Sequence, residues 1–198
     1  IPPAAKDAYD DGVSKLKQKN LELGYNQLKK AIDIFPKYYN ALYRYGNELL
    51  QKQQYESAAS MFFRAADVNP KSATSYYYLA FCFEKMGKDY YKAALVSAQE
   101  AQKLAPASAP VYLILGRLER MVGNYPDAEK HLLQAKKLVS QPEPQIHMEL
   151  SQLYSNDLKK YKEAADELEA YIKASKMTGD EEIKTRKIVA GLREKAKS

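Results

Sequence analysis

Apolar positions along the chain recur at helical spacing, in pairs of short runs. From Leu42 onward, Leu42, Tyr45, Gly46, Leu49 and Leu50 fall at i, i+3, i+4, i+7 and i+8. That is the stripe of an amphipathic helix. The next run carries Tyr55, Ala58, Ala59, Phe62, Ala65 and Ala66, again at helical spacing. Each run lasts about twelve to fifteen residues, the length of an ordinary globular helix. Pro70 cannot continue a helix and disfavours helical backbone at Asn69, so it closes the pair.

The pair repeats. Gly46 returns as Ala80, Gly116 and Ser151, and is preceded by Gly12, a step of about 34 to 36 residues each time. A second small column reads Gly24, Ala58, Ala94, Ala128, Ala164. Between them runs a column of Leu21, Tyr55, Tyr91, Tyr125, Tyr161. Leu28, Phe62, Ala98, Leu132 and Leu168 form another, and Ala31, Ala65, Ala101, Ala135 and Tyr171 a further one. Prolines close the first three units at Pro36, Pro70 and Pro106, with Ser140 in the fourth. A period near 34 with two helical stripes per unit predicts a helical solenoid. The small columns mark where paired helices approach closely, and Tyr55 and Phe62 fill the space beside them.

Local signals fit the pairing. Ser108 and Asn124 stand where N-caps are needed, with Pro110 and Pro126 in the first turns that follow. Gly87 and Gly123 fall in the turns between paired helices. Extra residues around Lys88 to Tyr90 and around Asp157 to Lys160 are also placed in turns. After Thr178-Gly179 one more helix is predicted. Asp180, Glu181 and Glu182 suit its start, and Arg193, Lys195 and Lys197 its end. Ile188, Leu192 and Ala196 give it a narrow apolar stripe, as for a helix capping the last unit.

Composition narrows the classes. Hydrophobic residues make up 45% and charged residues 28%, the mix of a folded chain rather than a disordered one. The net charge of +6 is carried by interspersed signs, which describes a solvated surface. No apolar run is long enough to span a bilayer. The one cysteine, Cys82, excludes an internal disulfide and a multi-cysteine zinc site. Flanked by Phe81 and Phe83, it reads as a small buried hydrophobe. The chain begins at Ile1 rather than methionine, so residues 1–4 are expected to be a linker or a cut start within a larger protein.

The column order resembles the tetratricopeptide repeat. The resemblance rests on Gly46, Tyr55, Ala58, Phe62, Ala65 and Pro70, on Ala80, Tyr91, Ala94, Ala98, Ala101 and Pro106, and on Gly116, Tyr125, Ala128, Leu132 and Ala135. The outer units depart from it, with Asp11 at an apolar position and Tyr171 at a small one. The resemblance implies an all-α, right-handed superhelix of about five helix-turn-helix repeats over residues 5–178. Its units are 5–38, 39–72, 73–108, 109–142 and 144–178, with 179–198 as a C-terminal capping helix. It also implies that the first helix of each unit lines a concave groove. The residues beside the packed stripe would then face a partner: Tyr43, Arg44 and Asn47, then Tyr77, Tyr78, Phe81 and Lys85, then Ile114, Arg117 and Arg120. Met148, Glu149 and Gln152 continue that face in the fifth unit.

Tyrosine offers wide apolar area with a polar tip at small entropic cost. Arg44, Arg117 and Arg120 could clamp carboxylates of a partner. The same tyrosines could instead pack between repeats. Family members that hold chaperone tails use lysines, asparagines and an arginine over three units. Here Tyr9, Tyr43 and Tyr77 stand in one of those columns, and Thr74 and Pro110 in another, so chaperone tails are not expected.

Chemistry is not foreseen. His131 and His147 have no second His or Cys at i+3 or i+4, against a metal site. His147, near Glu149, reads as an exposed or packing residue. No phosphate loop and no nucleophile in a recognisable setting occur. The expectation is a non-enzymatic scaffold without cofactor or metal, binding a protein or peptide partner in the groove. The alternative is a homo-oligomerising structural element. Polyanion or nucleic-acid binding through the basic C-terminal helix is a lesser one. The Tyr- and Lys-rich, Trp-free style resembles repeat domains of bacterial envelope assemblies.

Overall fold

A computed structural model describes residues 1–197, and among them every regular element is helical. Eleven α-helices follow in order: α1 Pro3–Lys17, α2 Leu21–Ile34, α3 Tyr39–Gln51, α4 Tyr55–Val68, α5 Ala73–Met86, α6 Tyr91–Leu104, α7 Ala109–Met121, α8 Tyr125–Leu138, α9 Pro144–Gln152, α10 Tyr161–Ala174 and α11 Gly179–Lys195. A 3-10 turn, Lys88–Tyr90, precedes α6, and a π turn, Leu153–Asp157, extends α9. The chain divides into two compact units, Ile1–Leu104 with α1 to α6, and a second from Ala105 onward with α7 to α11. Within each unit every helix packs on the one before it.

The paired helices meet at the small columns. A Cβ on Gly46 would lie 3.1 Å from two ring carbons of Phe62 and 3.2 Å from the Met61 Cβ. At Gly116 it would meet the Leu132 Cγ at 2.7 Å and the Ala128 carbonyl oxygen at 3.1 Å. Backbones come this near only where no side chain intervenes, and the gain is dense packing. Phe62, Leu28 and Leu132, from one column, are fully buried, each transfer stabilising by about 1.5–3 kcal/mol. In the last hairpin the small residue is Ser151. Its hydroxyl donates to the Ala164 carbonyl at 2.9 Å, which joins the two small columns by a hydrogen bond.

Helix ends follow the punctuation. Phe35 and Asn69, each before a proline, leave helical geometry with φ of −136° and −131°, as the residue before proline must. Where Ser140 replaces proline, α8 ends at Leu138 all the same. Ser108 and Asn124 do occupy N-cap positions, but neither side chain makes the capping bond. The Asn124 amide instead donates to Asp127 at 2.7 Å. Ser72, which the pattern did not single out, accepts from the Ser75 N–H at 3.1 Å and caps α5. Gly123 takes a positive φ of 84° in its hairpin turn, and Lys19, Gln53 and Lys159 hold φ of 61°, 58° and 57° in the corresponding turns.

α11 packs on α10 through a stripe that shares only Leu192 with the one expected. Val189 and Leu192 are buried, whereas Ile188 is 56% exposed and Ala196 is exposed. Arg193 reaches Glu169 at 2.9 Å across this contact. Cys82 is fully buried beside Phe62 and Leu79, and burial pushes its thiol up to about 12.

Gly116→Val is expected to lower stability by about 1–3 kcal/mol, read as an earlier urea midpoint at unchanged slope. Cys82 is expected to resist a thiol reagent at neutral pH, because the thiolate is the nucleophile and lies far above reach there. It should react completely once denaturant unfolds the chain; prompt labelling of the native protein would contradict the packing described.

Candidate functional site

In the first unit, α3 and α5 bring Tyr43, Tyr77, Tyr78 and Phe81 to neighbouring positions. Tyr43 and Tyr78 meet edge to face at 6.0 Å, and both rest on Phe62 of α4, at 5.9 and 5.1 Å between ring centroids. Tyr77 meets Tyr78 edge-on at 5.2 Å, and Tyr39 stacks on Tyr43 at 6.0 Å. Tyr43 and Tyr78 therefore pack between hairpins, with Tyr77 and Phe81 beside them on α5. They are not enclosed: Tyr43, Tyr77, Tyr78 and Phe81 all remain half-buried. Burial pushes the Tyr43 phenol above its ordinary value, so it stays neutral and keeps its O–H.

Polar groups frame the rings. The Asn47 amide donates to the Tyr43 carbonyl at 3.0 Å, one turn back on α3. Lys85 is exposed, with its ammonium 5.2 Å from the Phe81 ring centroid. Such a cation over a ring face is held by the ring quadrupole. At the base of α5, the Tyr39 hydroxyl lies 2.8 Å from the Ser72 hydroxyl.

The arginines behave otherwise than expected. Arg44 bonds the buried Glu48 carboxylate at 2.8 Å, one turn along α3. In the second unit Arg120 donates to Gln152 at 2.9 Å and to Glu149 at 3.3 Å, and lies 3.6 Å from Asp157. Arg117 lies 3.9 Å from the other Glu149 oxygen. Arg117 and Arg120 are only 17% and 18% exposed. The carboxylates they were expected to take from a partner are supplied by this chain, from α9 and its π turn. Ile114 is a further correction, being 1% exposed and so part of the core. Helical spacing alone could not reveal the partners of Arg117 and Arg120, which lie about thirty or more residues away.

Buried carboxylates are the feature that sequence reasoning missed. Glu119 accepts from His131 Nδ1 at 2.7 Å, joining α7 to α8. Glu167 accepts from His147 Nδ1 and from Lys136, both at 2.7 Å, joining α10 to α9 and α8. Of the two readings of His147, exposed or packing, the second holds: it is buried and bonded to Glu167. The signal available was weak: Glu119 adjoins Arg120 and Glu167 adjoins Asp166, as on a solvated face, and nothing in spacing pairs either with its histidine.

A second concavity of about 440 Å³ in the first unit lies among α4, α5 and α6, with Phe63 and Val96 exposed beside it. Among the described residues no cluster of His, Cys, Asp and Glu is placed to hold a metal, and no helix is long and apolar enough to cross a membrane.

Comparison with known proteins places this geometry. The tetratricopeptide repeat family model matches residues 43–109. Among curated proteins none matches by sequence. Solved structures do match. MamA from Desulfovibrio magneticus RS-1 is 20% identical, covering 89% of this chain and 97% of its own, with a TM-score of 0.79. TTC0263, a thermophilic protein of the same repeat type from Thermus thermophilus, is 20% identical, covering 96% and 98%, at a TM-score of 0.66. YrrB, described as having an unusual peptide-binding site, is 18% identical and covers 84% of each chain at a TM-score of 0.72. These likenesses establish the shared fold.

Glu149→Gln should remove the charge that holds Arg117 and Arg120 together. The expected loss is about 1–3 kcal/mol, seen as a lower melting temperature, and salt should narrow the gap between variant and wild type only slightly, since these groups are mostly buried.

Proposed function

Because the chain is a tetratricopeptide repeat protein, we propose that it is a non-catalytic scaffold whose first unit binds a peptide segment on the α3–α5 face. Four aromatic rings stand half-open side by side on two neighbouring first helices, and this observation carries the reading. Rings already fixed by Phe62 lose little freedom on binding, and a preorganised surface keeps more of its contact energy. The open faces of Tyr77, Tyr78 and Phe81 would take apolar side chains of the segment. Asn47 and Lys85 would bond its backbone carbonyls or an acidic side chain.

The arginines contribute to this face differently. Arg44 keeps Glu48 as its partner and fixes α3 rather than reading the ligand. Arg117 and Arg120 belong to the framework of the second unit. The recognition surface proposed is therefore more aromatic and less charged than the sequence alone indicates.

Peptides selected from a random library on the immobilised chain supply the probe. The Tyr77→Ala/Phe81→Ala double variant is expected to weaken their binding by about tenfold or more, with helicity retained. Equal affinity for the variant would reject the face, and an affinity that collapses with added salt would favour a polyanion ligand instead.

A further inference from the structure

The second unit contains a cavity that the peptide-binding face does not use. Two adjoining hollows, about 240 and 520 Å³, share His147 and Pro142 in their walls. They lie where the end of α8, the loop before α9, the start of α9 and the end of α10 converge. His147 is 6% exposed. Its Nδ1 is 2.7 Å from a Glu167 oxygen, and a carboxylate oxygen only accepts, so Nδ1 carries a hydrogen and donates. Among the described residues nothing bonds the opposite nitrogen, Nε2, nor is that atom sealed from solvent. A nine-tenths buried polar side chain in the lining of both hollows thus keeps one nitrogen without a protein partner.

The surrounding charge favours an anion. Lys173 and Lys176 line the larger hollow and form no ion pair among the described residues. Lys136 is neutralised on Glu167, which leaves Glu143, in the smaller hollow, as the one further acid in these walls. Between the lysines and His147 the lining is mostly apolar, with Pro142, Ala170 and Ala174 beside Gln141. Such a combination, convergent donors over an apolar floor, is that of a small-ligand site.

We propose that this cavity binds a carboxylate carried on a short apolar stem. The carboxylate accepts from His147 Nε2 and from Lys173 and Lys176, and the stem lies on Pro142, Ala170 and Ala174. For Nε2 to donate while Nδ1 donates to Glu167, the ring must hold both protons. The groups that face the ring are Glu167, Lys173 and Lys176 from the α10 side, Lys136 from α8 and Glu143 from the loop. The ligand's source is either a free acid or the end of a peptide chain, since both offer the same group.

Hexanoate tests the first source. An apolar tetrapeptide with a free C-terminus, compared with its amide, tests the second. Proton–nitrogen spectra of the full chain would follow the His147 ring and the backbone amides of α9 and α10. At least one acid should shift these signals saturably, while hexanol and the amidated peptide do not. Lys173→Met/Lys176→Met and His147→Gln should each weaken it by about tenfold. The lysine pair is exposed, so that variant decides the matter should His147→Gln unfold the unit. Absence of a saturable shift from either acid, equal binding of hexanol, or undiminished binding by the lysine variant would overturn the proposal.

Discussion

Close approach of two backbones inside each hairpin is the constraint on which the rest of the structure depends. At Gly116 a single added carbon would collide with Leu132, and at Gly46 it would crowd the Phe62 ring. The missing side chains let large neighbours reach the bottom of the interface, and those neighbours make the core. Phe62 shows the chain of consequence. It is fully buried because Gly46 leaves it room, and its ring then supports Tyr43 and Tyr78. The proposed recognition face is, in that sense, the upper storey of a packing solution set by glycine.

Charge is arranged on a different principle. Isolated surface pairs are worth little, and several here are of that kind, such as Lys103 with Glu100. Inside the second unit the acids are shared instead. Glu149 serves two arginines and Glu167 serves a histidine and a lysine. Each such carboxylate ties together helices that are distant in sequence. Removing one member would strand the others in a partly buried setting, which costs more than the net worth of the pair. These networks fix the relative placement of helices that apolar packing alone would leave freer to slide.

The sequence was informative where the physics is local or periodic. The repeat columns, the helix pairs, the proline breaks and burial of Cys82 all follow from spacing and residue type. The site was only partly legible. Tyr43, Tyr77, Tyr78 and Phe81 could be assigned to neighbouring first helices, but not the dependence of Tyr43 and Tyr78 on Phe62. Arg117 and Arg120 looked available because Glu149 and Asp157 lie far along the chain. Ile114 sat beside a groove stripe and proved to be core, since a few tens of degrees around a helix separate the two. Ser108 and Asn124 had the right position for caps but not the side-chain geometry, which no sequence pattern specifies.

The π turn at Leu153–Asp157 has a bearing on how such an array can change over generations. One residue added within a regular helix rotates everything beyond it by about a quarter-turn or more, carrying buried groups toward water. Here the surplus is absorbed in the wide loop of backbone. Leu153 and Tyr154 remain buried, and α10 starts at Tyr161. A lineage with this device can lengthen one module while the modules on either side keep their phase.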